Sequence, residues 1–162
     1  MNPSQSPIPE LEMEMTTTRR LLERVPSDKG QWKPHPKSFP LGHLAQLVAW
    51  MPGWIANTAS ESELDLAKAP GYTFEKTETL VAMFDQHVRD AVKAIAAMQP
   101  GDLDATWNLT RSGQVMWSAP RRVVLRNHLN HLCHHRGQLT VYLRLLDVPL
   151  PPIYGPTADE RM

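Results

Sequence analysis

The stretch Asn130-His131-Leu132-Cys133-His134-His135-Arg136-Gly137-Gln138-Leu139 decides how this chain is read. On a helix at about 100° per residue, the surrounding segment Val123–Leu146 gathers Leu125, Leu129, Leu132, Leu139, Leu143 and Leu146 into one arc, which must face a core. His131, His135, Gln138 and Tyr142 fall within about 60° of one another on the flank of that arc. Imidazoles at i and i+4 can each aim a nitrogen at a single divalent cation, leaving positions open for water or substrate. The same two side chains can instead hydrogen-bond to each other across a bundle, and Gln138 and Tyr142 can serve a ligand or one another. Arg136 falls inside the apolar arc, where a charge requires a partner; Glu10, Glu14 and Asp85 are the candidates from facing helices. Cys133 points away from His131 by about 160° and is not read as a nucleophile. His134 points to another face, towards solvent or an interface.

Three further helices come before this one. From Ile8 to Val25, the residues Ile8, Leu11, Met15, Thr18, Leu22 and Val25 share a face, while Glu12, Arg19 and Glu23 look outward. Pro26 stops that helix, and Ser27 to Pro40, with Trp32 and His35, reads as an ordered loop. From about Leu41 to Ser60, Leu44, Leu47, Val48, Met51 and Ile55 form an apolar stripe with His43, Trp50 and Trp54 on its flank, and Pro52 is expected to kink or break the helix locally. A polar connection, Glu61 to Tyr72, leads to a third helix from about Thr73 to Met98, carrying Leu80, Phe84, His87, Val88, Ala91, Ile95 and Met98. Pro100-Gly101 ends it. Trp107-Asn-Leu109 and Val115-Met-Trp117, separated by Arg-Ser-Gly-Gln, read as a short hairpin or an extended excursion. Pro120 is placed to open the fourth helix.

Four amphipathic helices predict an all-α protein, a four-helix bundle with long connections, in a single domain spanning residues 1–162. Residues 1–7 are expected to be a loose tail and 148–162, with four prolines, an extended C-terminal strap. The tryptophans read as core or interface filling; Trp50 and Trp54 at a pocket mouth would favour an apolar or planar ligand.

Composition narrows the function classes. Seventeen basic residues against seventeen acidic ones give no electrostatic case for nucleic acid or an anionic membrane. No apolar run approaches the roughly 20 residues that span a bilayer. The N-terminal segment lacks the basic and apolar regions of a signal peptide. The single cysteine excludes an internal disulfide and fits a reducing compartment, so a soluble cytoplasmic protein is expected. No Ser-His-Asp elbow, phosphate loop, CxxC or paired-carboxylate pattern is present.

Four stretches in order give the chain a familiar look: residues 9–22 (Pro-Glu-Leu-Glu-Met-Glu through Thr-Arg-Arg-Leu-Leu), Trp32-Lys-Pro-His-Pro-Lys-Ser-Phe-Pro-Leu-Gly42 with its following helix, Met83-Phe-Asp85, and Leu129-Asn-His131-Leu-Cys-His-His135-Arg-Gly-Gln-Leu139. They span essentially the whole chain, and the last is the most specific. On them the chain resembles the DinB/YfiT-like family of four-helix proteins. The resemblance implies a bundle, frequently a homodimer, and a three-histidine centre for a divalent transition metal such as zinc or nickel. Some relatives are thiol-dependent S-transferases, and many have no known activity. His131 and His135 match the two ligands of the last helix. The third normally comes from the second helix, where this chain has Leu47. His43, one turn or about 6 Å earlier, is the first substitute, and His87 on the third helix the second. The expectation is a metal-dependent transferase or hydrolase acting on a small molecule. The alternative is a degenerate, non-catalytic member, a dimeric bundle binding a small ligand or partner without metal.

Overall fold

In a computed structural model, residues 8–161 are described. The tail expected at residues 1–7 lies outside that range, and so does the side chain of Ile8. The four helices are α1 (Ile8–Leu22), α2 (Leu41–Ser60), α3 (Thr77–Ala97) and α4 (Arg121–Leu145). Between them lie β1 (Glu63–Asp65), β2 (Thr106–Arg111) and β3 (Gln114–Pro120).

The apolar stripes pack as their spacing requires. On α1, Leu11, Met15, Thr18 and Leu22 are buried, as is Val25 just past its end, while Glu12 and Glu23 are exposed. α2 goes further than one stripe. Leu41, Leu44, Ala45, Gln46, Leu47, Val48, Ala49, Trp50 and Met51 are all buried, because α3 and α4 cover it from two sides. The helix runs through Pro52 without a break.

The loop from Ser27 to Pro40 is ordered, and its order has a visible cause. Leu41 N–H donates to Trp32 O at 2.8 Å and Gly42 N–H to Gly30 O at 2.9 Å. The Phe74 ring lies across both glycines: a Cβ on Gly42 would meet its ring at 2.6 Å, and one on Gly30 at 2.7 Å. Two missing side chains thus let the α2–α3 connection close over the α1–α2 loop.

The molecule is not purely helical. β2 and β3 form the hairpin anticipated between the third and fourth helices, with Ser112 (φ 50°) and Gly113 (φ 81°) at its tip. Positive φ at two successive turn residues matches the twist of the flanking strands. β1, which the polar connection Glu61 to Tyr72 conceals, pairs in parallel with β2, Glu63 opposite Asn108 and Asp65 opposite Thr110. The resulting sheet has the order β1-β2-β3. Trp107 is 1% exposed beneath it, whereas Trp117 on β3 is 39% exposed and stands outside the core.

Candidate functional site

α2 and α4 run antiparallel, and three contacts set their register. Tyr142 Oη donates to Phe39 O at 3.3 Å, the Trp54 ring lies 5.9 Å from that of His131, and Thr58 Oγ1 is 3.1 Å from His128 Nε2. Leu47, Trp54 and Thr58 fall within about 40° on α2, so they share the line that faces α4. At 1.5 Å rise on both helices, Leu47 comes level with about residue 136, beside His135. Leu47, where the resemblance to the DinB/YfiT-like family would place a third histidine, is therefore buried at about the level of His135.

On α4, His131 and His135 do meet. Their Nε2 atoms are 2.8 Å apart. His135 Nδ1 is 2.7 Å from Gln138 Oε1, which only accepts, so Nδ1 carries the proton and Nε2 presents its lone pair. His131 Nε2–H then donates to it. Burial, and after it the neighbouring imidazoles, hold the pKa of His131 below the usual histidine value. Burial also lowers His135, opposed by the bond to Gln138. Both rings therefore favour the neutral form near pH 7. His131 stands at the exposed rim and His135 is half-buried, so solvent solutes reach the pair.

His43 takes another course. Its ring is sandwiched between Phe39 at 4.3 Å and Tyr72 at 3.5 Å, and Trp50 stacks on the far side of Tyr72 at 4.7 Å. His87 Nδ1 bonds Ala49 O at 3.0 Å, on the α3 side of α2. Among the described residues, no group of three or more His, Cys, Asp or Glu side chains stands close enough to hold a metal ion. The donors present are thus two imidazoles facing a hydrocarbon side chain, and they do not fit a three-histidine centre.

Sequence reasoning missed His128. It sits one turn before His131 on the same stripe, bonded to Thr58 and edged by Trp107 at 6.3 Å, and burial drives its pKa down to about 4. Its i, i+3 spacing from His131 was the available signal. Gln138 and Tyr142 do not bond one another; each takes a different partner.

The partner required by Arg136 is Glu14, at 2.6 Å, with Arg136 only 1% exposed. The guanidinium also donates to Thr18 Oγ1 at 3.0 Å and to Tyr154 Oη at 2.8 Å. Tyr154 Oη in turn donates to Glu14 Oε1 at 2.9 Å and lies 3.2 Å from Cys133 Sγ. Burial raises the Tyr154 phenol well above its ordinary pKa. Tyr154 of the C-terminal strap, itself 68% exposed, thereby caps a polar cluster that runs from inside the apolar arc of α4 to Cys133, away from the histidines.

A four-helix bundle with a paired-imidazole stripe on its last helix and a small sheet at one side is the class these features define. Residues 10–161 match the model of the DinB family, and the chain belongs to that family. It is 26% identical over 150 residues to the uncharacterised protein YrdA of Bacillus subtilis, covering 92% of this chain and 86% of YrdA. The crystal structure of the DinB-like protein YjoA of Bacillus subtilis is similar in fold, with a TM-score of 0.72 at 20% identity, covering 91% of this chain and 96% of YjoA. A DinB-like protein of Bacillus cereus matches with a TM-score of 0.71 at 20% identity, over 91% of this chain and 95% of its own. No helix among the described residues is long and apolar enough to cross a membrane.

Proposed function

We propose that this DinB-family protein binds a small molecule at the α2–α4 histidine stripe, using His131 and His135 as a neutral hydrogen-bonding pair rather than as part of a three-histidine metal centre. The observation that carries this reading is the burial of Leu47, a hydrocarbon side chain that the register of α2 against α4 brings level with His135. Gln138 fixes His135 as an acceptor at Nε2, and Trp54 supplies an apolar wall beside His131. A ligand offering a donor to His135 Nε2 and an acceptor to His131 Nε2–H would replace the bond between the two rings.

A second reading is a zinc or nickel ion held by His131 and His135, serving a transfer or hydrolysis. The convergence of the two Nε2 atoms favours it. Untagged protein expressed with zinc or nickel supplementation and assayed for bound metal separates the two. Less than about a tenth of an equivalent supports the first reading. About one equivalent, lost in His131→Ala, overturns it and establishes the second. A homodimer in the cytoplasm belongs to the same proposal, and its test is light scattering at tens of micromolar, where a monomer mass refutes the dimer.

A further inference from the structure

We infer that the His131–His135 pair selects a planar heterocycle whose edge sets a hydrogen-bond acceptor beside a donor, as a lactam does. The inference rests on the reading of the stripe as a hydrogen-bonding pair without metal, and it names the class of ligand that such a pair takes.

The two rings present unlike atoms. Gln138 Oε1 accepts from His135 Nδ1 at 2.7 Å, which leaves His135 Nε2 as a bare acceptor. His131 Nε2 lies 2.8 Å from it and is the donor. Donor and acceptor therefore stand next to each other at a rim where His131 is exposed and His135 half-buried. Within the chain they satisfy each other through one bond. A ligand that matches both atoms replaces that one bond with two.

Few groups match both. An ammonium only donates, so it has nothing to offer the His131 N–H. A carboxylate only accepts, and its second oxygen meets the lone pair of His135. A hydroxyl carries donor and acceptor on a single atom and cannot lie in line with both nitrogens. A trans amide has both groups but points them to opposite sides, which excludes ordinary peptide backbone. In a lactam the ring enforces the cis form, which an open-chain amide adopts only at a cost of about 3 kcal/mol. Its C=O and N–H then point the same way from atoms about 2.2 Å apart, the separation that bond lengths of about 1.23 and 1.33 Å require. Opening the bond between the Nε2 atoms, 2.8 Å apart, aims them side by side at such an edge. A primary amide has the same edge without the ring. Half-buried Trp54 favours the ring: its indole lies 5.9 Å from that of His131, tilted by 31°, and gives a flat ligand an apolar surface.

The test titrates untagged full-length protein, with chelator and at about pH 8, where free imidazoles are neutral. The probes are 2-pyridone, N-methyl-2-pyridone, acetamide and benzoate, followed by calorimetry and by long-range proton–nitrogen NMR of the imidazoles. Saturable binding of 2-pyridone is expected, at least tenfold tighter than each of the other three, with shifts at Nε2 of His131 and of His135. His131 and Gln138 are exposed, so His131→Ala and Gln138→Ala should fold, weaken 2-pyridone about tenfold and shrink its advantage over the N-methyl compound. Equal affinity for 2-pyridone and N-methyl-2-pyridone, with shifts at both histidines, would overturn the inference alone, because the stripe would then bind small molecules without regard to their edge. The absence of any shift at His131 or His135 with 2-pyridone up to about 10 mM would overturn it as well. About one equivalent of metal in the protein before chelation, lost in His131→Ala, would overturn the underlying reading together with the inference.

Discussion

Leu47→His is the most informative single change. If Leu47 is level with His135, the substitution brings a third imidazole to the His131–His135 pair. Without metal it should destabilise the fold, because a buried leucine of 6% exposure is replaced by a ring with two polar atoms; about 2–4 kcal/mol is expected. With metal the sign reverses. Ligand present at about a thousand times its Kd stabilises the folded state by about 4 kcal/mol, and each kcal/mol moves the Tm of a domain this size by about 2–4 °C. Zinc or nickel should therefore raise the Tm of the variant by about 8–16 °C at saturation.

The assay is calorimetric melting of untagged protein, with metal and with chelator. The wild type, with two imidazoles and a leucine, should respond by less than about 1 kcal/mol under the same conditions. His43→Ala should change neither response, since that ring is stacked between Phe39 and Tyr72. If Leu47→His folds but gains no metal response over the wild type, residue 47 does not face His135 and the register argument is wrong. If the wild type already responds by several kcal/mol, a third donor comes from elsewhere in the protein.

Other outcomes follow from single contacts. Glu14→Gln strands the Arg136 charge in the core and should cost about 3–5 kcal/mol by urea unfolding, and combining it with Arg136→Met should cost clearly less than the two single changes summed; additive costs would refute a compensated pair. His128 is held near pKa 4 against about 6.5 unfolded, so its effect is absent above pH 6.5. As pH falls from 6.5 to 4 the unfolded chain takes up a proton that the folded one refuses, removing about 3 kcal/mol of stability, and His128→Asn should flatten that limb of the unfolding profile. Gly42→Ala drives a methyl into the Phe74 ring and should cost about 1–3 kcal/mol, with Phe74→Ala relieving the clash in the double variant; a neutral Gly42→Ala would show that the loop closes differently.

Much of this was legible from periodicity, and the failures have a common cause. Leu11, Met15, Thr18 and Leu22 announced the buried face of α1, and Arg136 inside a leucine arc announced a carboxylate on a facing helix. Ser112-Gly113 between two apolar runs announced a turn. β1 could not be read, because three residues, Glu-Leu-Asp, are too few to show alternation and its partner strand is distant in sequence. The stacking partners of His43 were hidden for a similar reason. The rings that capture it, Phe39 and Tyr72, lie in connections that carry no period. His128 was overlooked since its burial depends on Thr58 and Trp107, from two other elements.

The two polar groups flanking the arc of α4 show where function should be sought. Arg136, Glu14, Thr18 and Tyr154 satisfy one another within the chain, and the guanidinium is closed to solvent. A cluster whose hydrogen-bonding capacity is consumed internally fixes geometry and leaves nothing for a ligand. His131 and His135 are arranged the other way. They meet at the rim, their only mutual tie is one bond between neutral rings, and Gln138 holds the acceptor lone pair in position. Such a bond is worth about 1 kcal/mol and is easily exchanged for one to a solute. The difference between the two flanks, closed against exchangeable, is why the stripe facing α2 carries the functional proposal although Arg136 is the more deeply buried charge.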